Sequence, residues 1–246
     1  MRNTIIWTAV PLLAGSLLAG PAFGRGEAQH AKGTDQQAAA AKQSRPARSD
    51  ERQDAQEGVR EATKVVKQMK SNAELKKALD RSKGVFIIPD YGRGAFVVGG
   101  SGGSGVVLEH KDGKWSDPVF FNIGSISVGP QAGGSGGSIA LLLMTDRAAE
   151  AFRRNNKFSL DAQAGLTIIN FSARAKGSLG RGDILLWSNT AGAYAGASIA
   201  VSDVNYDEDE TAAYYRGAGV PSPAKVLDGG AGKAPESAQK LKEALG

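Results

Sequence analysis

Two Gly-x-Ser-x-Gly stretches come closest to hydrolytic chemistry in this sequence. They are Gly99-Gly100-Ser101-Gly102-Gly103 and Gly133-Gly134-Ser135-Gly136-Gly137. A serine presented on such a turn becomes a nucleophile only beside a base, ordinarily a histidine. The chain has two histidines. His30 lies in a polar N-terminal stretch, and His110 precedes Asp112-Gly113. Ser101 or Ser135 with His110 is therefore the hydrolase arrangement open to this chain. Glycine and serine at these places also let strands bend and approach closely, which is the simpler account. No catalytic residue is expected.

Two further patterns fail for want of context. Gly100-Ser101-Gly102-Gly103-Ser104-Gly105 spells G-x-G-x-x-G, but Val106-Val107-Leu108 follows. A dinucleotide site needs a helix there, whose N-terminus holds the pyrophosphate. The run Asp203 to Glu210 opens like a calcium loop, yet Glu208 stands where glycine is needed and Tyr214 where the bidentate glutamate belongs. A solvated acidic loop is the expectation. The sequence contains no cysteine, which removes thiolate ligands, disulfides and a lipid-modified cysteine. Neither a cofactor nor a metal is expected.

Charge points elsewhere. From Glu57 to Lys70, a helical period puts Val59, Ala62, Val65, Val66 and Met69 on one side. Arg60, Lys64 and Lys67 fall in a stripe on the other side, with Lys70 beside it. The spacing predicts an amphipathic helix with a basic outer face. Such a helix can lie on an anionic surface or simply dock on a core. Residues 25–83 carry a net charge of +5, whereas residues 84–246 carry −1. A basic segment ahead of a near-neutral body suits an anionic partner surface. No nucleic-acid motif accompanies it.

The elements around this stripe follow from composition and period. Residues 1–24 have the form of a secretory signal peptide: Arg2, an apolar run from Ile5 to Leu18, and Ala22-Phe23-Gly24. An exported chain, periplasmic or secreted, is therefore expected. Residues 25–56 are polar and lack large apolar side chains, so a disordered linker is expected there. Ser71-Asn72-Ala73-Glu74 resembles a capping box opening a second short helix that ends at Gly84.

After Gly84 the period becomes that of strands. They are expected at Val85–Ile88, Ala95–Val98, Gly105–Glu109, Val119–Asn122, Ser125–Val128 and Ser138–Met144. Further strands are expected at Leu166–Asn170, Ser172–Lys176, Ile184–Ser188, Ala193–Ala195 and Ser198–Ser202. Asp112-Gly113 is a hairpin turn signal. Helices are expected at Asp146–Arg154, capped by Thr145, and at Pro235–Leu245. Trp115 and Trp187 are expected in or beside the core, while Tyr214-Tyr215 suit either a core or a contact surface. The fold class is α+β: a curved antiparallel sheet or barrel, preceded by short amphipathic helices and followed by a C-terminal helix. One domain over 57–246 is expected.

Several motifs recur in the order of a known family. Lys83-Gly84-Val85-Phe86-Ile87-Ile88-Pro89 is followed by Gly102-Gly103-Ser104-Gly105-Val106-Val107 and Asp112-Gly113-Lys114-Trp115-Ser116-Asp117-Pro118. Gly129-Pro130-Gln131-Ala132-Gly133 and Gly192-Ala193-Tyr194-Ala195-Gly196-Ala197-Ser198 come next. This chain resembles the SYLF family, and the likeness runs from about Ser71 to Gly229. The family's Tyr-Tyr-Gly reads Tyr214-Tyr215-Arg216 here. The resemblance implies a non-catalytic lipid-binding module whose basic helix meets a membrane. It places that role on Arg60, Lys64, Lys67 and Lys70, with Lys76 and Lys77 as secondary positions. The implied partner is an anionic phospholipid or membrane surface, not nucleic acid. A structural or protein-interaction role in the cell envelope is the alternative, and serine hydrolysis the more remote one.

Overall fold

Ala55, Val59, Ala62, Val66 and Met69 follow one another at spacings of three and four residues, and all five are fully buried. Their helix, α1 (Gly33–Lys70), supplies one wall of the core in the computed structural model of the chain. The structure describes residues 33–93, 101–128, 137–154, 156–160, 164–171, 182–189, 199–216 and 221–246. Residues 43–246 form one compact unit and residues 1–42 another. The sheet, the later helices and the end of α1 that packs on them belong to the larger unit. The expected signal peptide, residues 25–32 with His30, and the expected strands at 95–98, 172–176 and 193–195 lie outside the described residues.

The helix starts earlier than Glu57, inside the stretch expected to be a linker. Alanine is the only apolar residue in the turn before Glu57, so no large side chain signals burial there. Ala55 nonetheless continues the buried stripe, and the Asp, Glu, Arg and Gln around it are compatible with a helix. At the other end, Ser71 Oγ donates to the Gln68 carbonyl. Helix α2 (Ala73–Asp80) is capped by Asn72, whose side chain accepts from the Leu75 amide at 3.0 Å. The capping residue is thus Asn72, and Ser71 closes the preceding helix.

Among the described residues nine strands follow: β1 (Gly84–Arg93), β2 (Ser101–Lys111), β3 (Lys114–Trp115), β4 (Val119–Val128), β5 (Gly137–Leu143), β6 (Lys157–Phe158), β7 (Ile168–Asn170), β8 (Ile184–Ser188) and β9 (Ile199–Tyr206). They form a curled half-barrel in the order β6-β9-β4-β2-β1-β5-β8-β7, with β3 paired to β2. The curl carries β7, at one edge, into contact with β9, next to the other edge. The expected curved antiparallel sheet forms, with one parallel pair, β7–β8, that makes it mixed. The two segments expected either side of Gly124 are one continuous strand, β4.

Helix α3 (Asp146–Arg154) lies between β5 and β6, with Thr145 Oγ1 accepting from the Ala148 amide at 3.3 Å. Its Phe152 meets Phe86, Phe121 and Phe158 edge-on, with ring centroids 5.1–5.4 Å apart. Phe120, next to Phe121 and so on the opposite face of β4, meets Tyr214 at 5.1 Å. Tyr214 belongs to α4 (Glu208–Tyr215). Both sheet faces are therefore covered, which accounts for the unbroken burial of Val85–Ile88 and Ile139–Leu143. Two short helices complete the chain: α5 (Pro223–Leu227) and α6 (Glu236–Leu245).

Close strand approach requires glycine in β2. A Cβ on Gly105 would lie 2.3 Å from the Ile87 carbonyl oxygen of β1. The G-x-G-x-x-G stretch continues as strand β2, with no helix after it.

Candidate functional site

The polar face of α1 points outward while its apolar face is sealed. Val59, Val66 and Met69 are fully buried, and Val65 nearly so. Arg60 pairs with Glu57 at 2.6 Å, and Lys64 pairs with Glu61, each one turn back on the same helix. The Lys64 ammonium is held above its usual range by the Glu61 hydrogen bond. Lys67 is exposed. Lys70 turns to α6, donating to the carbonyls of Ala244 and Leu245 at 2.9 and 3.4 Å. A cation at a helix C-terminus satisfies orphan carbonyls and opposes the helix dipole. On α2, Lys76 pairs with Asp80 at 3.3 Å and Lys77 with Glu74 at 2.9 Å. The structure thus brings Arg60, Lys64 and Lys67 onto one outward stripe, whose end Lys70 marks at the join with α6.

The Ser101–His110 pairing does not form. Ser101 and His110 sit nine residues apart along β2, on the order of 30 Å of extended strand. Ser135 lies outside the described residues. His110 Nδ1 lies 3.2 Å from the Ser82 carbonyl, and its ring stacks on Trp115 at 4.6 Å with a 10° tilt. It is a structural prop for the β2–β3 hairpin. The hairpin's turn residues Asp112 and Gly113 have φ of 52° and 71°, the left-handed pair that a two-residue loop requires.

Beneath this hairpin lies a cavity of about 260 Å³. Its wall continues through Asp117, Leu227 and Asp228 to Lys242 of α6. Arg153 of α3 holds both Glu109 and Asp228 at 2.7 Å, and Lys242 holds Asp117 at 2.7 Å. Burial pushes the Glu109 carboxyl up, against the pull of Arg153.

A second cleft, of about 290 Å³, separates α1 from the sheet and α4. Asp54, Glu61, Asp90 and Glu210 line it over an apolar base of Val106 and Phe120. Ser104 Oγ donates to Glu210 at 3.0 Å. Burial, with Asp207 and Asp54 adding to it, pushes the Glu210 carboxyl up to about 7. Among the described residues no group of three His, Cys, Asp or Glu side chains could hold a metal ion.

The acidic run is not a loop. Asp203–Tyr206 end β9, and Asp207 caps α4 by accepting from the Glu210 amide at 2.8 Å. The Asp-x-x-Glu spacing of Asp207 and Glu210 was the signal for this helix. Tyr214 and Tyr215 belong to the core: their hydroxyls meet Ser237 Oγ at 2.8 Å and the Pro118 carbonyl at 2.6 Å. Arg216 follows with φ of 53°, a left-handed cap where glycine is favoured.

The described residues thus build an α+β fold: a curled half-barrel with N-terminal helices and a C-terminal helix. Residues 124–246, half of the chain, match the family described as "Ysc84: Las17-binding protein actin regulator", and the chain belongs to that family. The SH3 domain-containing YSC84-like protein 1 of Homo sapiens and of Mus musculus are each 33% identical to it over 131 residues. That of Bos taurus is 34% identical over the same length. These alignments cover 48% of this chain and 36% of the relatives, so the match spans about a third of their length. No solved structure matches the chain. Among the described residues no helix is long and apolar enough to cross a membrane.

Proposed function

We propose that this chain is an exported, non-catalytic lipid-binding module that contacts anionic membrane surfaces through α1. The observation that carries this reading is the docked amphipathic helix: its apolar stripe is sealed in the core while Arg60, Lys64 and Lys67 face outward. Lys70 stands at the stripe's end, and Lys76 and Lys77 follow on the next helix, α2. Because Val59, Val65, Val66 and Met69 are already buried, they have no apolar surface left to insert. The contact is therefore electrostatic and peripheral. Exposed ion pairs such as Arg60–Glu57 are weak and open readily toward a stronger anionic partner.

Attraction of this kind is screened beyond about 8 Å at physiological ionic strength. Flotation with vesicles containing phosphatidylserine should fall steeply as salt rises, with no salt-resistant fraction. Changing Arg60, Lys64, Lys67 and Lys70 together to Gln keeps good helix formers and removes the charge. Unchanged flotation of that variant at low salt overturns the assignment. Flotation that survives 1 M salt overturns the electrostatic reading. The actin regulation in the family description enters as the rival: a stripe that ignores vesicles yet captures an acidic protein surface belongs to a protein-interaction module.

A further inference from the structure

The hairpin cavity carries charge that the fold leaves unanswered. Its three carboxylates are each matched: Glu109 and Asp228 by Arg153, and Asp117 by Lys242. Lys111 and Lys114 remain. Both are exposed, and among the described residues neither has an ion pair. They are register partners across the hairpin, so two like charges stand directly opposite one another. That arrangement is unfavourable in a free protein. Their Cβ atoms are about 5 Å apart in such a pair, close enough for two flexible ammonium groups to converge on one small anion.

We propose that this cavity is a phosphate-recognition site, with Lys111 and Lys114 as its charged ligands and Leu227 as its apolar wall. A dianionic tetrahedral group answers both ammonium charges at once, which a single carboxylate does not. The volume of about 260 Å³ leaves room for the alcohol fragment esterified to the phosphate. Buried Leu227 offers that fragment an apolar contact. The site is held in place before any ligand arrives. Glu109 and Ser116 exchange hydrogen bonds, amide to hydroxyl and amide to carbonyl, both at 2.9 Å. His110 stacks behind Trp115, and Tyr215 holds the Pro118 carbonyl. Rigid support of this kind lowers the entropy lost on binding. Helix α6 links the site to the basic stripe: Lys242 lies about one turn from the carbonyls that receive Lys70. The proposal uses residues outside α1 and does not depend on the stripe's role.

The test titrates the ¹⁵N-labelled full chain with inorganic phosphate and with glycerol phosphate, at constant ionic strength set by chloride. Amide shifts centred on Lys111–Trp115, saturable and lost in Lys111→Gln/Lys114→Gln, are expected. Both positions are exposed, so an unchanged circular dichroism spectrum and a melting temperature no lower than that of wild type should certify the variant. A flotation arm uses phosphatidylcholine vesicles carrying phosphatidic acid, which presents a phosphate monoester. There the double variant should bind roughly thirtyfold more weakly. Loss in both arms identifies a lipid headgroup as the source. Loss in the titration alone identifies a soluble phosphate ester, with the site upheld. Shifts that are absent, that persist in the double variant, or that appear with poly-glutamate in place of phosphate overturn the proposal. The α1 quadruple variant should keep its hairpin shifts, so failure of either reading is visible without the other.

Discussion

The outer face of α1 and the rim of the hairpin cavity both carry lysines, yet they differ in what lies beside them. On α1, Arg60 and Lys64 each have a carboxylate one turn away on the same helix. At the hairpin, Lys111 and Lys114 stand opposite each other, and among the described residues neither has an ion pair. Counting charge along the sequence favours α1, because the net positive charge lies ahead of Gly84. Counting charge that lacks a partner favours the hairpin, which sits in the near-neutral part of the chain. Availability of charge is a property of the fold, and it can run against the local composition.

The two regions should also differ in what a lost cation does to stability, and this is the largest effect expected. Arg153 beneath the hairpin holds Glu109, whose side chain is only 9% exposed. Removing one partner of a buried pair leaves an uncompensated charge, so Arg153→Ala should destabilise the protein by about 3–5 kcal/mol. Arg60→Ala, on the outer face of α1, should leave the denaturation midpoint within error, because its pair is half exposed. Chemical denaturation of the two variants beside wild type checks the contrast. Equal effects would mean that the floor of the hairpin cavity is no more buried than the helix surface.

The inner side of α1 provides the next effect. Glu210 faces Asp54 and Glu61 from α1 and Asp90 from β1 across the cleft, with Asp207 on its own cap and neutral Ser104 beside it. Its carboxyl titrates at about 7 when folded, against an ordinary value of 4.5. The folded state thus holds the proton more tightly than the unfolded chain does. The stability this gives is complete below pH 4.5 and lost as pH rises through 7, to a total of at most about 3 kcal/mol. Glu210→Gln should flatten that slope and raise stability at pH 8. If wild type and variant show the same midpoint at pH 5.5 and at pH 8, α1 is not packed over a buried carboxylate.

Much of the framework was legible because its signals are local. Asp112-Gly113 announced the hairpin, Thr145 the cap of α3, and alternating apolar residues most of the described strands. The stripe from Val59 to Met69 was legible by period, but whether it docks depends on the apolar faces it meets in three dimensions. Helix α4 was missed because acidic residues at Asp207–Glu210 suggested solvent or cations, although the Asp-x-x-Glu cap was present. The N-terminal extension of α1 was missed because Ala55 buries little surface by itself. The hairpin cavity was hidden for a different reason. Asp228 and Lys242 are far in sequence from Lys111 and Lys114, and only long-range packing decides which charges cancel. Trp115 reads as a core aromatic, and nothing local marks the lysines before it.

Charge reversal gives the smallest effect and the sharpest form of the comparison, because its sign should differ between the two regions. Lys114→Glu would set a carboxylate opposite Lys111, turning a like-charged cross-strand pair into an attractive one. Such exchanges are worth about 0.2–1 kcal/mol, or roughly 1–3 °C in melting temperature for a chain of this size. The protein should become slightly more stable while its response to inorganic phosphate disappears. Lys64→Glu on α1 does the reverse, adding a third carboxylate to Glu57 and Glu61 along one side of the helix, so melting should shift downward. A residue whose replacement stabilises the fold and removes binding is held there by something other than the fold. A fall in melting temperature for Lys114→Glu would show that the lysine pair is no burden to the hairpin, and the contrast between the two regions would fail.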